Sequence, residues 1–347
     1  MSTSRPIEIT KDELRKIIYF ILMKFRSDSL HMQGTSAKRD LIGGYIERWF
    51  NKIAETVIFD YLLKDENYNV VSDYFLYAND SDKNAPDILG LEKKDGSNMP
   101  FVKYNNGTWS TCKGMPRIEV KVVRKDQYLA GVREPQMIDD YYVFIESELE
   151  GDYLSAIFED EVFDNKYLHE LDVSSDFIES DKDSQLIKHE EMSKADRVGT
   201  MRLIGIYTKD ELRKLSVKCG KGVKPWYFAN AVNKSIRGVG EESELNVVDG
   251  ICNYSFEGEI YLPFHADGLK SNPKIVKRNK GSVYLDVMSK ASFGGIEVEP
   301  GRVKIEFKKF DRSSSWDENM VLKSYLEEKG KDSTDELLTL FGKLINN

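Results

Sequence analysis

The chain has 347 residues, of which 40% are hydrophobic and 11% aromatic, enough to build a sizeable core in two domains or one elaborated domain. Its net charge of −9 argues against a protein that coats DNA without selectivity, though not against a local basic cleft. No apolar run reaches the ~18 residues needed to cross a bilayer, no signal-peptide core follows Met1, and Cys112, Cys219 and Cys252 lie far apart, so a reducing, cytoplasmic setting is expected.

In chain order, Thr10-Lys11-Asp12-Glu13 reads as a capping box that opens a helix, and Leu14, Ile17, Ile18, Ile21 and Leu22 carry it to about Phe25. Arg26 to Ala37 reads as a surface connection, with DNA contact through Arg26, His31, Gln33 or Lys38 as the alternative. A longer helix is expected from about Lys38 to Leu63, because Ile42, Ile46, Trp49, Phe50, Ile53, Val57 and Ile58 recur at helical spacing. Glu47 and Glu55 both lie on it. Tyr68 to Tyr77 reads as a strand, followed by the polar turn Ala78–Asn84.

Two buried strands should follow. One is Ala85-Pro86-Asp87-Ile88-Leu89-Gly90-Leu91. The other is Pro116-Arg117-Ile118-Glu119-Val120-Lys121-Val122-Val123, and a polar, glycine-bearing segment joins them. Side chains alternate along a strand, so Glu119 and Lys121 share one face and Val120 points into a core. Asp87 opens the neighbouring strand, where it can meet Glu119. Two converging carboxylates repel each other in a poor dielectric and call for a cation, and hard oxygen ligands suit Mg²⁺. A lysine beside them can orient a water or neutralise charge on a phosphate.

Beyond Lys121 the chain turns basic at Arg124, Lys125 and Arg133, with the polar Gln127 among them, and Tyr141–Ile145 reads as another buried strand. Gln136 lies five residues before Tyr141, one residue off the Gln-x-x-x-Tyr spacing of a RecB-like subgroup, and is not assigned to it. Residues 159–196 are acidic and weakly patterned, an expected insertion. Arg202–Tyr207 reads as a strand, and Thr208-Lys209-Asp210-Glu211 as a second capping box. Further β-type runs follow at 259–262, 282–285 and 302–307. Lys274, Lys277, Arg278 and Lys280 form the densest basic cluster, either a DNA-facing patch or a hairpin rim. Ser333-Thr334-Asp335 opens a final amphipathic helix that caps the domain or joins a dimer interface. The isolated histidines (His31, His169, His189 and His265) offer no zinc-site spacing.

Pro86-Asp87 followed by Glu119-Val120-Lys121 resembles the PD-(D/E)xK signature of restriction-endonuclease-like nucleases, over about Lys38 to Ile145. The resemblance implies an α/β fold: a restriction-endonuclease-like core, with a mixed central sheet flanked by helices and an additional β-rich C-terminal region. From Glu146 onward there is no family match, and the texture of the chain sets the expected division into a helical leader (1–37), a nuclease core (38–237) with the acidic insertion, and a C-terminal α+β region (238–347) that is a candidate for DNA recognition or dimerisation. The resemblance implies Mg²⁺ as cofactor, with Asp87 and Glu119 as metal ligands, Lys121 at the attacking water or phosphate, and Glu47 as a further ligand from the helix; Glu55 is the competing candidate. The expected activity is site-specific cleavage of double-stranded DNA, as in a type II restriction endonuclease. Arg124, Lys125, Lys274, Lys277, Arg278 and Lys280 are the expected DNA contacts. Expected partners are double-stranded DNA, a second copy in a homodimer, and a companion DNA methyltransferase with no direct contact implied. Another nuclease of the same core, or a non-enzymatic DNA-binding or interaction protein, remains the alternative.

Overall fold

A computed structural model describes residues 6–28, 51–63, 67–75, 85–105, 107–127, 129–149, 197–221, 316–323, 326–327 and 333–346, together with the strands and the turn 299–300 within 226–309. Glu47, Lys280 and the acidic stretch 159–196 lie outside the described residues.

The chain enters through β1 (Ile7–Thr10) and passes directly into α1 (Lys11–Asp28). The Thr10–Glu13 box is formed: Thr10 N donates to Glu13 Oε2 at 2.7 Å, and Glu13 N donates back to Thr10 Oγ1 at 3.4 Å. Of the helix expected over 38–63, residues 38–50 lie outside the described residues, and the remainder is not one continuous helix. Asn51–Glu55 is a 3-10 turn, and α2 (Val57–Leu63) starts afresh after it. Thr56 N bonds to the Ile53 carbonyl three residues back at 3.1 Å, and the Thr56 hydroxyl donates to the same oxygen at 3.2 Å. This local bonding tightens the backbone where an α-helix would run through.

β2 (Tyr68–Ser72), shorter than expected, pairs with β3 (Ile88–Lys93). β4 (Asn98–Pro100) folds back on β3. Gly90 permits that approach: a Cβ there would sit 2.4 Å from the Met99 carbonyl oxygen. The segment read as a connecting loop is instead β4 followed by a two-stranded ribbon, β5 (Val102–Asn105) and β6 (Thr108–Thr111), turned at Gly107 with φ 80°. Next come β7 (Ile118–Arg124), β8 (Leu129–Arg133), β9 (Tyr141–Leu149) and β10 (Arg197–Thr208). The Thr208–Glu211 box then caps α3 (Lys209–Leu215), and β11 (Val217–Cys219) follows.

The fold is mixed α/β. The main sheet has seven strands in the order β1-β10-β9-β7-β3-β2, with β4 beside β3. β7 and β9 run parallel and the other pairs antiparallel, so the sheet is mixed as expected. Strand alternation sorts the faces of β7: Ile118 and Val120 enter the core, whereas Glu119 and Lys121 do not. Against the core face pack Leu14 and Ile17 of α1, Ile53 of the 3-10 turn, and Ile58, Phe59 and Leu63 of α2. The last helix, α4 (Ser333–Asn346), adds Leu337, Phe341 and Leu344. Phe341 meets Phe59 edge-on with ring centroids 5.5 Å apart.

The second sheet takes the strand Glu318–Leu322 between β11 and β8. The core therefore draws on all three segments into which the sequence was divided. Two five-stranded antiparallel sheets account for most of 226–309; one contains Trp226–Asn233, Gly301–Lys309, Ser282–Val287 and Lys274–Asn279, which is the β-rich region expected there.

Candidate active site at Asp87 and Glu119

Asp87 stands immediately before β3, and Ile88 pairs with Ile118 of β7. This register places Asp87 beside the Glu119–Lys121 segment. Asp87 Oδ2 accepts a hydrogen bond from Val120 N at 2.8 Å, across a sequence gap of 33 residues. The Asp87 carbonyl accepts from Asp73 N at 3.0 Å, so the end of β2 is tied to the same point. The structure thus brings together Asp87, Glu119 and Lys121.

Glu119 is 5% exposed. Its Oε1 meets the Lys121 ammonium and accepts from Gln136 Nε2 at 3.3 Å. Gln136 Oε1 lies 3.4 Å from Lys121 Nζ, so one amide spans both charged groups. The Gln136 backbone is fixed in turn: its carbonyl accepts from the Tyr142 hydroxyl at 2.9 Å, and that oxygen accepts from Asp139 N at 3.2 Å. Asp139 is buried and paired with Arg117 at 3.0 Å.

From the other side, the 3-10 turn delivers Lys52 and Glu55, which are both buried and ion-paired with each other. The tight turn is fixed by Ser72, whose hydroxyl donates to the Glu55 carbonyl at 3.1 Å. Lys52 Nζ lies 5.5 Å from the centre of the Tyr74 ring.

The electrostatics follow from this crowding. Burial, and then the charge of Asp87, push the Glu119 carboxyl up to about 8, against the pull of Lys121. Burial and Asp87 likewise raise Glu55 well above the carboxylate range. Burial opposes the charge on Lys52, but Glu55 and Asp87 outweigh it and its pKa rises. Lys121 behaves the same way under Glu119 and Asp87. Three carboxylates thus feel one another across the site, and two lysines hold their charge in check.

Among the described residues no three acidic, histidine or cysteine side chains converge tightly enough to form a ready metal cage. The donor set nevertheless fits a hard divalent cation that takes one or two carboxylates and keeps its remaining positions for water and phosphate. Asp87 and Glu119 would supply those carboxylates, and a cation there would offset the repulsion by Asp87 that adds to burial in raising Glu119 and Glu55. Beyond Lys121 a cavity of about 320 Å³ opens between β7 and the second sheet, lined by Lys121, Gln136, Arg133, Gln127 and Glu318 among others.

Glu55, the competing candidate for the helical carboxylate, occupies this site; Glu47 lies outside the described residues. Arg124 and Lys125 continue from β7 and are exposed, each facing an acidic neighbour: Asp126 at 3.5 Å and Glu148 at 2.6 Å. Lys274, Lys277 and Arg278 fall on the strand Lys274–Asn279, of which the backbone is described, and Lys280 falls outside. Three site residues were not assigned from sequence. Lys52 carried a signal, the Lys-x-x-Glu spacing that joins it to Glu55 on one face. Gln136 was noticed only for a motif spacing it misses, and Asp139 carried no signal. Comparison with family models, with curated proteins and with solved structures found no match to this chain.

Proposed function

We propose that this protein is a Mg²⁺-dependent endonuclease of the PD-(D/E)xK, restriction-endonuclease-like kind, cutting double-stranded DNA at a specific sequence. The observation that carries the reading is the pairing of Asp87 with the Glu119-Val120-Lys121 strand, fixed by the Val120 N–H to Asp87 hydrogen bond. Its support is chemical: buried carboxylates that need a cation, next to a charged lysine at the edge of a polar cavity.

In this mechanism Asp87 and Glu119 would hold the cation, with the Lys52-paired Glu55 beside them on the 3-10 turn. A divalent cation held there would supply Lewis acidity toward the scissile phosphate. Lys121 orients the attacking water and neutralises charge that builds on the phosphate oxygens. Gln136 keeps the Glu119 carboxylate and the Lys121 ammonium in register. Lys52 holds Glu55 in place while the site is empty of substrate. Hydrolysis of both strands at a symmetric sequence matches two-fold protein symmetry, so the working form in this proposal is a homodimer.

The test is digestion of unmethylated phage DNA with Mg²⁺ or EDTA, beside Asp87→Ala and Lys121→Ala. Discrete, Mg²⁺-dependent fragments that both variants fail to produce are the expected result. Cleavage by either variant at the wild-type rate removes that residue from the mechanism. Intact DNA under all conditions refutes cutting of plain duplex.

A further inference from the structure

The ribbon β5–β6 carries an aromatic cluster that the proposed chemistry does not use. Tyr104 and Trp109 are direct cross-strand partners with ring centroids 5.2 Å apart, and Phe75 packs against Trp109 at 5.9 Å. Tyr104 and Phe75 are among the most exposed large apolar side chains described, at 48% and 56%. The three rings form one tilted cluster, with Trp109 half-buried and Tyr104 and Phe75 exposed, and such a surface suits a flat, apolar ligand.

Their position ties them to the site. Phe101 N, at the foot of the ribbon, donates to the Leu89 carbonyl at 2.8 Å, two residues beyond Asp87. The returning strand is tied to the same foot, with Cys112 N donating to the Phe101 carbonyl at 2.8 Å. Phe75 lies two residues after Asp73, whose amide bonds to the Asp87 carbonyl, and the turn in which Phe75 N donates to Asp73 Oδ1 at 3.1 Å keeps it within roughly 7 Å of chain from that contact. All three rings therefore rise from the Asp87 end of the sheet.

Charge identifies the ligand further. The chain has 59 acidic residues in 347, yet none falls between Gly96 and Ile118, whereas Lys103, Lys113 and Arg117 do. Lys103 and Lys113 are exposed. A flat apolar group attached to an anionic backbone matches this combination, and that is an unpaired nucleobase with its flanking phosphates.

We propose that Tyr104, Trp109 and Phe75 form a stacking platform for an unpaired base of the nucleic acid at the Asp87–Glu119 site. The proposal rests on the nuclease reading for its substrate and extends it, since a base must leave the duplex to reach the platform. The substrate class becomes DNA with an unpaired stretch beside the duplex to be cut.

The experiment measures binding rather than cutting, with the full chain in EDTA. Fluorescence anisotropy compares a labelled duplex with the same duplex carrying a short unpaired thymine tract. Wild type should prefer the unpaired tract. Tyr104→Ala and Trp109→Ala should each weaken binding to it by roughly tenfold or more, with intact-duplex affinity unchanged, and Trp109→Phe should retain most of the preference. Circular dichroism confirms that each variant is folded, and the phenylalanine variant keeps the test decisive if an alanine variant is not. Equal affinity of the alanine variants and wild type for the unpaired tract overturns the proposal. So does dissociation of a dimer by these variants in sedimentation with no change in DNA affinity, because the rings then serve a second copy of the chain. A lost stacking preference in the variants, combined with no cleavage of any DNA by wild type in Mg²⁺, sinks the nuclease reading and leaves the platform standing.

Discussion

Glu119 offers a direct thermodynamic test of the site. Burial and the charge of Asp87 lift its carboxyl from an ordinary 4.5 to about 8. The folded protein then keeps a proton that the unfolded chain releases, so folding binds protons between those two values. Stability is unaffected by this group below about pH 4, falls as pH rises through the window, and has lost its full share above about pH 8. A displacement of that size corresponds to about 5 kcal/mol as a ceiling. Glu119→Gln keeps the shape and the hydrogen-bonding reach but cannot ionise. In EDTA, urea unfolding should therefore give similar stabilities for variant and wild type at about pH 4 and a variant more stable by several kcal/mol at about pH 8.5. Mg²⁺ should return much of the loss to wild type and little to the variant, because the cation favours the ionised carboxylate. The reasoning fails if the variant is the less stable protein at high pH. That outcome would mean that the Glu119–Lys121 ion pair stabilises the fold in its charged form and that burial does not dominate.

Two other predictions concern stability. Lys52→Met leaves the Glu55 carboxylate buried without its ammonium and should cost about 3–5 kcal/mol at neutral pH. Adding Glu55→Gln should recover most of it, and simple additivity in a double-mutant cycle would show that the two side chains do not act as a pair. Phe341→Ala removes a ring packed against Phe59 and Phe101 and should cost about 3–5 kcal/mol in denaturant unfolding; a loss below about 1 kcal/mol would mean that α4 does not seat on the core.

Where the sequence was legible, a local rule and a tertiary demand agreed. Thr10 and Thr208 each sit three residues before a glutamate, and both caps form. Glu119, Val120 and Lys121 alternate on β7 as strand geometry requires, and the β-branched side of that strand lies in the core. The misreadings have equally physical causes. The apolar period of 38–63 is helical, but the hydroxyl and amide of Thr56 both bond to the Ile53 carbonyl and break the helix inside it. The β5–β6 ribbon was readable from its alternating flanks and from the Asn-Gly pair at 106–107, but its polarity made it look like a loop. Gln136 comes to Glu119 and Lys121 from a separate element, and such convergence leaves no spacing to read; Lys52 showed only its spacing to Glu55. Glu55 was legible as a candidate; its burial against Asp87 was not.

The strand Glu318–Leu322 has a consequence for how the polypeptide reaches its native state. It pairs with β8, and the Lys323 ammonium donates to the Lys125 carbonyl at 2.9 Å across 198 residues. The Tyr207 hydroxyl reaches the Leu326 carbonyl at 2.5 Å across 119 residues, and α4 then closes the core near Phe101. A chain emerging from the ribosome N-terminus first has made Asp87, Glu119 and Lys121 long before these pieces exist. Until they arrive, β8 lacks its neighbour and the helical layer lacks its last member. Contacts of such long range slow folding and leave strand edges open to wrong partners in the meantime. Completion of the fold, and with it of any chemistry at the site, is thereby deferred until residues 318–346 have been synthesised.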